Sequence, residues 1–281
     1  MRDLDLNELP AWSDWPVRLL GLKNFAQPKR DVAKIEQEYN REKFAACLDL
    51  YRKSGGTMDP VALRFSIGNR AMDNERDAVW QGRLVIARQD EMVDRLFETL
   101  DAAIAGPAAK SRSIVELGSA FGANLWHLAK IFPGKRFVGG DYSDNAIALA
   151  ELLYKDRNDI RVGKLNFYDA RYPIMDTVEG PATVFTSQAL EQLPSTVPFL
   201  DALTRHRDKI ATVIHLEPAN DLHDTSLLGL MRKRYLELND YNRNLVSELK
   251  RRPDIRILDI KKDIFGFHAF NSLSLVVWEF R

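Results

Sequence analysis

A stretch that could hold a ligand runs from Ser113 to Lys130, SIVELGSAFGANLWHLAK. The apolar pair Ile114-Val115 leads through Glu116 into a turn at Gly118, Ala120 and Gly122. Leu125, Leu128, Ala129 and Phe132 then recur with helical spacing. Such a strand, glycine-rich turn and helix let backbone approach a ligand closely, because glycine has no Cβ in the way. They also aim a helix N-terminus, with its free N–H groups, at the same point. Two spacings compete for this turn. A dinucleotide fingerprint, G-x-G-x-x-G, gives Gly118, Ala120 and Ala123, with two of its glycines missing. An acidic-x-G-x-G-x-G pattern gives Glu116, Gly118, Ala120 and Gly122, with one glycine replaced by alanine.

Other reactive side chains follow. Asp141 ends the strand RFVGG and stands 25 residues after Glu116, with Tyr142 beside it. Asp169-Ala170 comes just past a third strand and Gln188 just past a fourth. Glu191, His215, Glu217 and His223 could each act as a base, with His268 and Asn271 as further candidates. His215 and Glu217 lie two apart on a strand and so share one face. Taken singly, most of these have plainer roles. Asp141 suits a helix cap, Asp169 a turn, and His215 a hydrogen-bonded place in the core.

The elements that must position these groups can be read from periodicity. With 281 residues, 45% of them hydrophobic, the chain can build one large domain or two smaller ones. Residues 1–110 read as a helical lid or extension, with long helices from Asp31 to about Lys53 and from Arg83 to about Ala105, the second ended by Gly106-Pro107. From 111 to 281 strands and helices alternate. Strands fall at 114–117, 136–140, 160–165, 182–187 and 211–217, and two closing strands, at about 254–260 and 272–280, have no helix between them. The expected fold is α/β, a doubly wound, mostly parallel seven-stranded sheet with an antiparallel C-terminal strand. A helical insertion lies at about 222–252, broken near Asn239-Asp240.

Composition narrows the class. Forty basic and forty acidic residues leave no net charge, against a nucleic-acid partner. The lone Cys47 rules out an internal disulfide and a cysteine-based zinc site, and no metal is expected. No apolar run reaches membrane length and the first residues lack a signal-peptide core, so no membrane partner and a cytoplasmic location are expected.

Over about Ser111 to Arg281 the chain resembles the class I S-adenosylmethionine-dependent methyltransferases. Glu116-Leu117-Gly118-Ser119-Ala120-Phe121-Gly122 resembles their first motif, with Ala120 in place of a glycine. Asp141 sits where their ribose-binding acid sits, and Asp169-Ala170 resembles their adenine-edge pair. The resemblance implies S-adenosyl-L-methionine as cofactor, held by Glu116, Gly118, Ala120, Gly122, Asp141, Tyr142, Asp169, Ala170 and Gln188. The chemistry agrees. A carboxylate accepts ribose hydroxyls, Tyr142 offers an aromatic face, and ligands of open α/β sheets bind at the carboxyl ends of the strands. No Asn/Asp-Pro-Pro-aromatic sequence follows the fourth strand, against methylation of base amines or glutamine. The acceptor implied is a small molecule, a sugar or natural product methylated on oxygen. The alternatives are a protein or peptide substrate, or a non-catalytic binding scaffold. The N-terminal region would close over the pocket or support a homodimer, and Arg83 and Arg88 could reach the cofactor carboxylate.

Overall fold

A computed structural model describes residues 1–23, 31–66 and 72–281. The chain starts with β1 (Arg2–Asp3) and α1 (Trp15–Leu19). A helical rod follows, built from α2 (Val32–Ile35), a π-helical stretch (Glu36–Phe44) and α3 (Ala45–Lys53). Then come α4 (Pro60–Phe65), the hairpin β2 (Glu75–Trp80) and β3 (Arg83–Arg88), and α5 (Gln89–Ala109). The alternating part runs β4 (Ser113–Leu117), α6 (Ala123–Ile131), β5 (Arg136–Asp141), α7 (Asp144–Leu153), β6 (Ile160–Lys164), β7 (Ala182–Ser187), α8 (Val197–Thr204) and β8 (Ile210–Glu217). It closes with α9 (Leu227–Leu238), α10 (Leu245–Arg251), β9 (Ile255–Gly266) and β10 (Leu273–Phe280).

One sheet contains ten strands, in the order β1-β3-β2-β9-β10-β8-β7-β4-β5-β6, not the seven expected. Pairing is parallel from β8 through β7, β4 and β5 to β6. β10 inserts between β8 and β9, antiparallel to both. The three extra strands come from the region expected to be helical. The run Leu84-Val85-Ile86-Ala87 is buried on both faces, so its periodicity fits a strand as well as a helix. Two neighbours decide it. Gln81 and Gly82 both take left-handed φ, 49° and 80°, and form a two-residue hairpin turn. Their N–H groups donate to Ile264 O at 2.9 Å and Asp263 O at 2.8 Å, which fastens the turn to β9. The helix expected from Arg83 therefore starts at Gln89, and it continues through Gly106-Pro107 to Ala109. The stretch 1–110 and the alternating part thus share one sheet.

Helices cover both faces. Cys47, Leu63, Leu100, Leu128 and Leu149, from α3 to α7, pack on one. Phe199 and Leu203 of α8 and Leu249 of α10 pack on the other. Gly139 of β5 lets α6 approach closely, since a Cβ there would lie 2.5 Å from Ser119 Oγ and 2.9 Å from Leu125. The break expected near Asn239-Asp240 falls between α9 and α10, with Asp240 in left-handed backbone at φ 53°. Among the described residues no helix is long and apolar enough to cross a membrane.

The π-helical stretch is tied to the start of α7 by one buried side chain. Asn40 Oδ1 accepts from Ser143 Oγ at 2.7 Å and from Asn145 N at 3.0 Å, and Asn145 Nδ2 donates to Asn40 O at 3.0 Å. Ser143 Oγ in turn caps α7 by accepting from Ala146 N at 3.1 Å. Asn40→Ala removes the acceptor of the Ser143 hydroxyl and the Asn145 N–H, leaves the bond to Asn40 O, and is expected to cost about 1–3 kcal/mol in chemical denaturation.

Candidate functional site

A cavity of about 530 Å³ opens at the carboxyl ends of β4, β5 and β7. Its floor is the turn after β4. Gly118 has φ +83°, Ala120 φ +50° and Gly122 φ +82°. Ala120 accepts the left-handed conformation that glycine would take for less, at a cost of about 1–2 kcal/mol. Gly118 has no such latitude, because a Cβ on it would stand 2.2 Å from Ala189 Cβ. Gly122 caps α6 from outside the lining, and its carbonyl accepts from Tyr154 Oη at 2.9 Å.

Asp141, at the end of β5, fastens this turn. Its Oδ2 accepts from Ala120 N at 2.7 Å and its Oδ1 from Ser143 N at 2.9 Å. Burial pushes its pKa up and the two N–H bonds counter that. A carboxylate offers about four acceptor positions, so two backbone bonds leave room for ligand hydroxyls. Glu116 is also buried in the lining. Its Oε1 accepts from Asn124 Nδ2 at 2.6 Å, and its Oε2 has no hydrogen-bond partner. Burial pushes its pKa up to about 8. Asn124 Oδ1 accepts from Arg64 of α4, so an acid and a guanidinium flank one amide.

On the other side, Ser187, Gln188, Ala189 and Glu191 line the cavity after β7. Ser187 Oγ is buried without a partner, and Gln188 holds φ +54°. Left-handed backbone at a non-glycine residue stores strain of a kind often found at ligand sites. Glu217 holds this loop from the end of β8. Its carboxylate accepts from the N–H groups of Ala189 and Leu190, both at 3.0 Å, and Glu191 at 3.2 Å. Burial pushes the Glu217 pKa up to about 7, and the nearby Glu191 adds to the shift. Glu191 accepts from Gln192 Nε2 at 3.0 Å and from Asn271 Nδ2 at 3.3 Å.

The remaining sequence candidates divide. Tyr142 lines the cavity with Lys164 Nζ 4.8 Å from its ring centroid. Asp169 and Ala170 are exposed beyond the lining, and the residues just past the end of β6 that reach it are Leu165, Asn166, Phe167 and Tyr168. β6 ends at Lys164, and the chain turns toward the cavity at once. His215 is a core residue. Trp278 Nε1 can only donate, so His215 Nε2 accepts it at 2.9 Å, and Nδ1 carries the proton toward Thr186 Oγ1 at 2.9 Å. Burial pushes its pKa down to about 3. His223 is buried outside the lining with Nδ1 3.8 Å from Asp263, and burial pushes its pKa down to about 4. Glu217 acts on backbone and does not line the cavity either. Of the four expected bases, only Glu191 does. His268 bonds to Tyr235, away from the cavity, and Asn271 reaches it only through Glu191.

The N-terminal region supplies groups that the sequence did not mark. Tyr39, Lys43 and Phe44 reach in from the π-helical stretch, and Arg64 and Phe65 from α4. Arg83 and Arg88 do not, being paired on the surface with Asp3 and Asp90.

No family model matches the chain, and no curated protein does. Among solved structures, a protein from Galdieria sulphuraria named as a candidate sarcosine dimethylglycine methyltransferase is similar at TM-score 0.49 and 12% identity, over 84% of this chain and 98% of that one. Magnesium protoporphyrin IX methyltransferase from Synechocystis PCC 6803, solved with bound S-adenosylhomocysteine, is similar at TM-score 0.48 and 13% identity, over 69% of this chain and 87% of that one. Likeness at this level is one of general chain trace, and the reading of function rests on the cavity itself.

Two measurements check this geometry. Gly118→Ala combines left-handed strain with overpacking and is expected to cost about 2–4 kcal/mol of unfolding free energy. The second is pH-dependent. Glu116 binds its proton more tightly folded, at about 8, than at its ordinary 4.5, so the folded state holds more protons between those values. Stability contributed by this group is full below about pH 4.5 and is lost as pH rises through 8. Across that window, stability should fall more steeply with pH for the native protein than for Glu116→Gln, the difference between the two denaturation series being the contribution of this group.

Proposed function

We propose that the chain is an S-adenosylmethionine-dependent methyltransferase acting on a small molecule, with the methyl group directed to oxygen. The observation that carries this reading is the pair of tied acids around the turn. Asp141 is fixed at Ala120 N with acceptor capacity to spare, and Glu116 Oε2 is buried at the cavity without a partner. A cofactor with a ribose and an amino-acid end would satisfy both. The orphaned Ser187 Oγ is a third group that such a ligand would complete.

The residues fit the cofactor as follows. Asp141 accepts the ribose hydroxyls, and Tyr142 flanks the nucleoside. Asn166 and the Phe167 amide, which line the cavity, would meet the adenine edge in place of Asp169 and Ala170. Glu116 accepts the ammonium, and Arg64, bridged to it by Asn124, takes the carboxylate. Gly118, Ala120 and Gln188 let backbone approach. When bound, the sulfonium supplies an electrophilic methyl group. The chain's own work is to align the acceptor and exclude water. Glu191 would take the proton of the acceptor's hydroxyl, so that the oxygen could receive the methyl group. Roofing by the π-helical stretch and α4 supports a small acceptor over a peptide laid in an open groove, and the volume is that of a small-molecule site.

Titration calorimetry tests the cofactor half. S-adenosylmethionine should bind the native protein, and Asp141→Ala should weaken binding at least tenfold. An ammonium beside Glu116 favours its ionised form, so binding at pH 7 should release protons, an effect that Glu116→Gln removes. Glu191→Gln should keep cofactor affinity and lower turnover about 10²–10⁴-fold. A native protein that binds NADH and not S-adenosylmethionine would sink the reading. One that binds the cofactor but releases no S-adenosylhomocysteine with any acceptor of a broad panel would be a binding scaffold.

A further inference from the structure

Among the described residues two cations, Lys43 and Arg64, line the cavity, and they are not equivalent. Arg64 belongs to the Arg64–Asn124–Glu116 bridge, which matches the carboxylate and ammonium of one amino-acid end. Lys43 lies outside that bridge. Among the described residues no carboxylate oxygen comes within ion-pair distance of its ammonium. Nζ instead sits 5.1 Å from the Tyr39 ring centroid and 5.7 Å from that of Phe44. The side chain is accessible, yet enough protein surrounds it that burial lowers its pKa, and the repulsion of Arg64 lowers it further. Glu38, Glu191 and Asp141 act on it only from a distance. An ammonium lining a cavity gains from a charged ligand group, and among the described residues no carboxylate pairs with it.

The surroundings add the second half of the argument. Tyr39 and Phe44 lie 6.1 Å apart, and Phe65 and Phe267 5.9 Å apart, all four lining the same cavity. These rings offer flat apolar surface in the cavity, with Tyr39 and Phe44 beside the ammonium. If the cofactor occupies Glu116 and Arg64, Lys43 and these rings are left to face the acceptor. We infer that Lys43 determines acceptor specificity by binding an anionic group, and that the acceptor is a small aromatic acid bearing a hydroxyl, its charge a carboxylate or a phosphate. This inference rests on the methyltransferase reading above.

The test measures binding, so it does not depend on finding the natural acceptor. The native protein, Lys43→Gln and Lys43→Arg are each saturated with S-adenosylhomocysteine. Each is then titrated by calorimetry with 4-hydroxybenzoate, 4-hydroxyphenyl phosphate and the neutral 4-hydroxybenzamide. The native complex should bind at least one anion about 10-fold or more tightly than the amide, and the stronger anion identifies carboxylate or phosphate. Lys43→Gln should lose that preference, Lys43→Arg should keep it, and the affinity for S-adenosylhomocysteine should stay within about twofold throughout. Equal binding of anions and amide, no binding of either anion, or a preference that survives in Lys43→Gln overturns the inference with the cofactor reading intact. A native protein that fails to bind S-adenosylhomocysteine overturns both.

Discussion

A carboxylate at the end of an outer strand holds the loop of the inner strand beside it, and this happens twice. Asp141 of β5 holds the turn after β4 through Ala120 N. Glu217 of β8 holds the loop after β7 through the N–H groups of Ala189, Leu190 and Glu191. β4 and β7 are sheet neighbours, and their following chains diverge to opposite faces. That divergence opens the crevice in which ligands of such sheets bind. The acids add to backbone bonds that already hold these loops, since Gly118 N donates to Gly140 O at 2.8 Å and Gln188 N to Leu216 O at 3.1 Å. With them, two strained loops become fixed walls. Both acids are buried, and burial raises both pKa values. The backbone N–H bonds are what make a carboxylate tolerable there.

The third wall comes from far away in sequence. Asn40 docks the π-helical stretch on Ser143 and Asn145, immediately after Asp141-Tyr142. The same docking that stabilises the rod brings Tyr39, Lys43 and Phe44 over the cavity. A π-helical stretch shifts side-chain phase relative to an α-helix, and such stretches often mark functional sites. Here it lets Asn40 face α7 while its neighbours face the ligand space. The N-terminal region is thus a structural partner of the site as well as its cover, joined to it through Arg64 and Asn124 as well.

Much of the fold was legible because its signals are local. Glycines at fixed offsets, short apolar runs in β4 to β8 bounded by turn residues and alternating with helical segments, and the helical stripes of α6 and α7 each report on their own few residues. The hairpin β2–β3 was not legible in the same way, since Leu84 to Ala87 are buried on both faces and such a run has no period to betray it. Only pairing with β9 makes it a strand. The site divides along the same line. Gly118, Ala120, Asp141, Tyr142, Gln188 and Glu191 follow strand ends, where topology sends every chain toward the crevice. His215 and Glu217 also lie at a strand end, but their partners Trp278, Thr186 and the loop from Ala189 to Glu191 come from other strands, and those partners turn both residues away from the ligand.

By itself, then, the sequence determined the strand–turn–helix unit, the acids that flank it and the α/β alternation around it. These follow from backbone sterics and hydrophobic period, which act over a few residues. The tertiary structure alone decided which groups face the cavity. Arg64 meets Asn124 across 60 residues, and Asn40 meets Ser143 across 103. Contacts at such separation are made by packing, and no local pattern of residues encodes them.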